Sequence, residues 1–168
     1  MVKKIISLAV LVCLLAYLPG CGAVVRPGPD GLAVGEPGDR MRTALFDFTL
    51  HTATESPDYD GVRPSPGEKL VLLDISIRNT SGREISLYDT DFHLLWGESG
   101  YTDTIGTAHA DMAPPQLTLA PRESARYIYA FAVPGSVYEF RLCFLDNALP
   151  EGGTPPQPTL FYVVFATA

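Results

Sequence analysis

The 168-residue sequence predicts an all-β domain of two sheets packed face to face, on three observations. From Met41 onward the apolar residues recur with a period of two, not 3.6, as half-buried strands require. The runs are short and rich in Val, Ile, Phe and Tyr. Gly, Pro, Asn and Asp divide them at a spacing that suits seven or eight antiparallel strands, which pack most economically as two layers.

Ahead of that pattern lies a different kind of sequence. Residues 1–20, MVKKIISLAVLVCLLAYLPG, combine Lys3 and Lys4 with an apolar run from Ile5 to Leu18 and a small residue before Cys21, the make-up of an export signal. The tetrad Leu18-Pro19-Gly20-Cys21 resembles a bacterial lipobox, with Pro19 where Ala or Ser is more usual. That resemblance implies that Cys21 becomes the lipidated first residue of the mature chain. The implied location is the cell membrane, lipid-anchored on its extracytoplasmic side. Residues 21–40 are dominated by Gly, Pro and charged side chains and read as a flexible tether, which would span roughly 25 Å. The sandwich is then expected over residues 41–168.

The strands follow in order. Arg42 to Thr52 sets Ala44, Phe46, Phe48 and Leu50 against a mixed face, and a turn-rich loop follows through Asp58-Tyr59-Asp60-Gly61 to Gly67. Lys69 to Arg78 is the cleanest run, with Val71, Leu73, Ile75 and Ile77 on one face and Leu72, Asp74, Ser76 and Arg78 on the other. It ends at Asn79-Thr80-Ser81-Gly82, residues suited to a reversal. Glu84 to Tyr88 and Phe92 to Trp96 come next, then a loop from Gly97 to Pro115 and a run ending at Leu119. Tyr127, Tyr129, Phe131 and Val133 line one side of the following strand, and Tyr138, Phe140, Leu142 and Phe144 one side of Val137 to Leu145. Leu160 to Phe165 is apolar on both faces, which places it centrally in its sheet.

Two blocks carry a family resemblance. Pro66-Gly67-Glu68-Lys69, the strand after it and Asn79-Thr80-Ser81 form a PG-x-x-strand-N-x-[ST] pattern; Leu119-Ala120-Pro121-Arg122-Glu123-Ser124, then Phe131-Ala132-Val133-Pro134, form an L-x-P-G-E-S, F-x-V-P pattern with Arg122 in place of glycine. Over residues 41 to 145 the chain resembles the DUF4352 family, extracellular immunoglobulin-like sandwiches often borne by bacterial lipoproteins. The resemblance implies an immunoglobulin-like β-sandwich and defines no binding residue.

Charge and cysteines narrow the function classes. Losing Lys3 and Lys4 with the signal leaves 10 basic against 19 acidic residues, a net charge of about −9, which excludes nucleic acid as a natural partner. It also disfavours a basic patch on anionic lipid, so membrane attachment falls to lipid on Cys21. Cys13 leaves with the signal, and acylation of Cys21 makes Cys143 a lone thiol. Arg141, two residues away on the same strand face, is placed to activate that thiol, while a small buried hydrophobe is the commoner role.

No metal, cofactor or catalytic set emerges. His51, His93 and His109 lack ligand spacing, and His93 alternates with Phe92 and Leu94 towards solvent. Asp58 and Asp60 mimic a calcium loop, but Gly67 stands where its bidentate glutamate belongs, so no specific calcium dependence is expected. There is no G-x-S-x-G elbow, and the chain reads as a non-enzyme. Tyr59, Tyr88 and Tyr101 sit in or beside loops and are the candidate partner contacts, with Trp96 assigned to either core or surface. The expectation is a non-enzymatic binding or adhesion domain whose partner belongs to the envelope; an ion- or ligand-binding accessory module and a structural envelope component are the alternatives.

Overall fold

The computed structural model describes residues 22–147 and 158–167, so the expected export signal and the expected lipidation at Cys21 lie outside the described residues. Twelve strands occur among those described: β1 (Val24–Val25), β2 (Leu32–Gly35), β3 (Arg40–Arg42), β4 (Phe46–Ser56), β5 (Glu68–Asn79), β6 (Ile85–Tyr88), β7 (Phe92–Trp96), β8 (Gly100–Thr102), β9 (Gln116–Leu119), β10 (Ser124–Pro134), β11 (Glu139–Asp146) and β12 (Thr159–Ala166). They form a first sheet in the order β1-β3-β4-β5-β10, a second in the order β2-β12-β11-β7-β8, and a two-stranded sheet of β6 and β9. The β-sandwich expected from the sequence is the architecture found.

The cleanest alternation lies at its centre. In β5 the side chains of Val71, Leu73, Ile75 and Ile77 are buried, while Asp74, Ser76 and Arg78 point to the opposite side. Full burial of each aliphatic side chain contributes about 1.5–3 kcal/mol. Phe48, Phe92 and Tyr129 close the space between the sheets, edge-to-face at 5.3 Å for both Phe48–Phe92 and Phe92–Tyr129. Such offset geometry suits the ring quadrupoles better than face-to-face stacking.

Four details depart from the sequence reading. The Arg42 to Thr52 run is two strands, because residues 43–45 turn: Thr43 Oγ1 donates to the Phe46 carbonyl at 2.8 Å and accepts its N–H at 3.1 Å, leaving Ala44 exposed. A register shift between Leu50 and Thr52 then carries Ala53 towards the core. Tyr138 is not core. It precedes β11 and is exposed, with the Lys69 ammonium 3.8 Å above its ring.

The fourth departure is the largest. Residues 22–40, expected as a tether, are built into both sheets: β1 pairs in parallel with β3, and β2 in parallel with β12. Their Gly and Pro residues form the turns between these short strands, with Gly31 and Gly38 at φ 74° and 93°. β12, apolar on both faces, has β11 on one side and needs a strand on the other; the Leu32–Gly35 segment supplies it. Hence the two parallel pairs and the count above seven or eight.

The outer face of the first sheet carries ion pairs, and its β10 edge is paired by a loop. Asp47 is 4% exposed and receives Arg42 at 3.1 and 3.2 Å, with Arg40 at 3.7 Å. Arg126 grips Asp74 with two bonds of 2.7 and 2.5 Å. The 103–115 loop lies along the free edge of β10, where Ala113 N–H donates to the Ile128 carbonyl and Ile105 N–H to that of Ala130; Met112 in this loop and Leu70 on β5 are buried.

These pairs set the acid response. The Arg126 bonds hold Asp74 below its ordinary value, bonds from Lys69 and Thr167 do so for Glu55, and bonds from Tyr101 and His93 for Asp103. A carboxylate with a depressed folded value adds stability that is complete above its unfolded value and is lost as pH falls through the folded one. The thermal midpoint is therefore expected to hold from pH 7 to about 5 and to decline below about 4. Asp74→Asn should lower the midpoint at pH 7 and flatten that decline; a variant whose acid decline matches the parent's would show that the Arg126 pair does not contribute.

Candidate functional site

The outer face of the second sheet is the exception in this molecule, because its register lines up apolar side chains on the solvent side. One row crosses four strands: Tyr101 opposite Leu95, Leu95 opposite Arg141, Arg141 opposite Val164. The next runs His93, Cys143, Tyr162, Val34, and the third Leu145, Leu160, Leu32. Eight large apolar or aromatic side chains are exposed among the described residues, and five of them, Leu32, Val34, Tyr101, Leu145 and Val164, stand on this face. Val34 and Tyr101 are each 53% exposed, at opposite sides of the sheet. Isolated exposed hydrophobics are ordinary, but a contiguous group marks a contact surface.

Polar groups are set into this surface at fixed places. Arg141 donates to the Gly97 carbonyl at 2.9 Å and lies 5.7 Å from the Tyr162 ring centre, so its guanidinium is held and stacked. At the β8 edge Asp103 accepts from the Tyr101 hydroxyl at 2.6 Å and bonds His93 Nδ1 at 2.8 Å. The bond to Asp103 raises the Tyr101 hydroxyl above its ordinary value, and it stays protonated. Trp96 lies over Gly100, where any Cβ would fall 2.2 Å from its indole nitrogen, so glycine is required for the ring to pack. Trp96 is half-buried against the core, and with Glu139, Arg141 and Val164 it lines a shallow notch at this end.

The three tyrosines expected as contacts separate. Tyr101 lies on the apolar face, and Tyr88 is exposed on the small β6–β9 sheet, outside its rows. Tyr59 is not free. Its hydroxyl donates to Asp111 and its ring meets His109 edge-on, while His109 Nε2 lies 2.6 Å from the Asp60 carbonyl. The bond to Asp111, then burial and the charges of Asp111 and Asp60, push the phenol up to about 12. This corner clasps the 57–67 and 103–115 loops together.

Cross-strand register also brings Cys143 opposite His93, which in turn bonds Asp103. The order of residue types resembles a cysteine nucleophile, base and orienting acid, invisible in sequence because β11, β7 and the residue after β8 contribute one each. The surroundings of the thiol run against that role. The thiol is 6% exposed, burial pushes it up more strongly than Arg141 pulls it down, and no hydrogen bond joins it to His93. A nucleophilic cysteine needs the opposite on all three counts. His93 itself takes the solvent side of β7, as its alternation with Phe92 and Leu94 predicts.

No family model and no curated protein matches the chain. Solved structures do, at the level of fold. The candidate lipoprotein ycdA of Bacillus subtilis aligns with a TM-score of 0.57 and 13% identity over 74% of this chain, which spans only 38% of the ycdA chain. The yjhA protein of Bacillus subtilis aligns at 0.53 and 11% identity, covering 76% of this chain and 98% of its own. A functionally unknown protein of Listeria monocytogenes EGD-e aligns at 0.52 and 14% identity, over 77% and 82% of the two chains. The chain shares with them a β-sandwich fold.

Proposed function

We propose that the protein is a lipid-anchored extracytoplasmic β-sandwich that binds an envelope partner, without catalysis, through the outer face of its second sheet. The observation that carries this reading is the contrast between the two outer faces. The first sheet's carries the Asp47 and Asp74 ion pairs, whereas five of the eight exposed large apolar or aromatic side chains among the described residues stand on the second sheet's. Aromatic and aliphatic side chains around a fixed arginine are the make-up of protein-contact surfaces.

The anchor is supported by the Leu18–Cys21 tetrad, and the sandwich likeness to ycdA agrees with a lipoprotein. Membership of the DUF4352 family is supported by the two sequence blocks, to which the structure adds a physical reason. Arg122 has φ 68°, a left-handed turn conformation in which glycine, usual there in the family, carries no side-chain penalty.

Photo-crosslinking in living cells tests the binding face. With the photoreactive residue at Tyr101 or Val164, one position-dependent product of defined mass is expected, lost on adding Arg141→Glu. The same residue at Thr52, on the first sheet, should give none. Equal products from Tyr101 and Thr52, or none from either, would overturn the assignment.

A further inference from the structure

The chain is held in the sandwich from the second residue after Cys21. Ala23 N–H donates to Asp39 Oδ1 at 2.8 Å, Glu36 N–H to Asp39 Oδ2 at 3.0 Å, and Arg40 N–H to the Ala23 carbonyl at 2.8 Å. One carboxylate thus fastens the start of the domain to the end of β2. Val24, 41% exposed on the outer face of the first sheet, and Val34, on the outer face of the second, stand on either side of that fastening.

Only Gly22 separates Cys21 from Ala23. A fully extended chain gains at most ~3.6 Å per residue, so Cys21 lies within about 7 Å of Ala23. A bilayer about 30 Å thick in its hydrocarbon core and 40–45 Å overall has a headgroup layer roughly 5–8 Å deep on each side. The reach of the anchor is no greater than that layer. A lipid on Cys21 therefore cannot hold the domain 25 Å clear, as a free tether would; the nearest edge of the sandwich must meet the headgroups.

We infer that the β1–β2 edge, flanked by Val24 on one face of the sandwich and Val34 on the other, is a membrane seat that rests on the lipid surface holding the acylated Cys21. The inference rests on the lipid-anchored reading above and goes beyond it by fixing which edge faces the bilayer. Charge gives no help to this contact. The mature chain is strongly acidic, and at this edge Arg26 and Arg40 are offset by Asp30, Glu36 and Asp39, so the seat depends on the acyl tether and is insensitive to salt. It also orients the binding face. Tyr101 on β8 is four strand spacings from Val34 on β2, about 19 Å at 4.8 Å per strand, and so stands at the outward edge.

The test uses the full-length protein purified from membranes and reconstituted in phosphatidylcholine vesicles, with and without brominated acyl chains. An environment-sensitive fluorophore is placed at Val34→Cys, at Val24→Cys as a second seat position, or at Glu98→Cys in the exposed β7–β8 turn, each in a Cys143→Ala background and checked for cooperative unfolding. The mass of the N-terminal peptide is measured on the same samples. Brominated lipid is expected to quench the two seat labels several-fold more than the Glu98 label, with no loss at high salt. Equal quenching at seat and turn, in a chain whose Cys21 is diacylated, overturns the seat and leaves the anchor standing. An unmodified Cys21 overturns the anchor and the seat with it. Seat labels shielded from water yet unquenched would show a second copy of the chain on this edge, and that too overturns the lipid seat.

Discussion

Ile75→Asp is expected to abolish cooperative folding, whereas Ser76→Asp, one residue along the same strand, should leave the denaturation midpoint close to the parent's. Ile75 is fully buried on β5, between Leu50 and Tyr127 in the ladder, and faces the second sheet. A lone carboxylate there has no cation to pair with and loses its hydration, a cost of several kcal/mol. A domain of this size has roughly 5–15 kcal/mol to lose, so one such group removes most of it. Ser76 points the other way, opposite Thr49 and Arg126, and bonds His51 at 2.8 Å. An aspartate at that position meets solvent and the Arg126 guanidinium, and a surface change of this kind stays within about 1 kcal/mol. Urea titrations followed by tyrosine and tryptophan fluorescence distinguish the two. Similar midpoints would mean that β5 presents the wrong face to the core.

That contrast was legible because β5 is half-buried and alternates from Val71 to Asn79. Period-two patterning finds such strands and reports which face is inside, and it found β4, β5, β10 and β11, while β12 was read from a run apolar on both faces. It fails where burial is decided by a neighbour. Leu32–Gly35 has four residues amid glycines and prolines, too few to show a period, and it is a strand because β12 has an edge to be covered. The apolar character of β12 on both faces carried that information indirectly, since a strand with neighbours on both sides must have a second neighbour somewhere. Tyr138 fails for a related reason: the alternation of β11 extrapolates one residue too far, past the point where the chain leaves the sheet.

The site was less legible than the fold. Tyr101 could be singled out as a loop-side aromatic, but the face around it depends on which residues stand opposite one another. His93, Cys143 and Tyr162 are far apart in the chain and adjacent only through two antiparallel registers. Tyr59 shows the converse. Its loop looked free to meet a partner, yet the hydroxyl is taken by Asp111 from another loop, 52 residues on. Single-sequence patterning reads faces of strands and cannot read register between them. The proposed membrane seat follows the same logic, since only the pairing of β1 with β3 and of β2 with β12 shortens the reach of the proposed anchor.

Asn79→Ala should cost on the order of 3 kcal/mol and lower the thermal midpoint by about 10 °C, far more than Thr80→Ala in the same turn. Asn79 is fully buried at the end of β5. Its amide nitrogen donates to the carbonyls of Arg83, Leu119 and Ala120 at 2.8, 3.0 and 3.1 Å, and its carbonyl accepts the Ser81 N–H at 2.9 Å and the Ser81 hydroxyl at 2.7 Å. With two hydrogens for three acceptors, one donation is shared. This single amide ties the β5–β6 turn to the β9–β10 turn and so joins the first sheet to the small β6–β9 sheet. It gives the N-x-[ST] element of the sequence a structural role. Removing it strands several backbone carbonyls away from water at about 1–3 kcal/mol each, partly relieved by relaxation. Asn79→Asp is the sharper variant, because a carboxylate preserves the bonds from Ser81 but cannot donate, and it turns a buried charge towards three carbonyl oxygens. It should be at least as destabilising as the alanine at neutral pH and should recover in part on acidification, once a protonated carboxyl can donate one bond. Asn79→Asp at parental stability would show that the donor side of this amide holds nothing together. Ser81→Ala, which spares the three donations, should cost about 1 kcal/mol and separates the local turn from the tie between sheets.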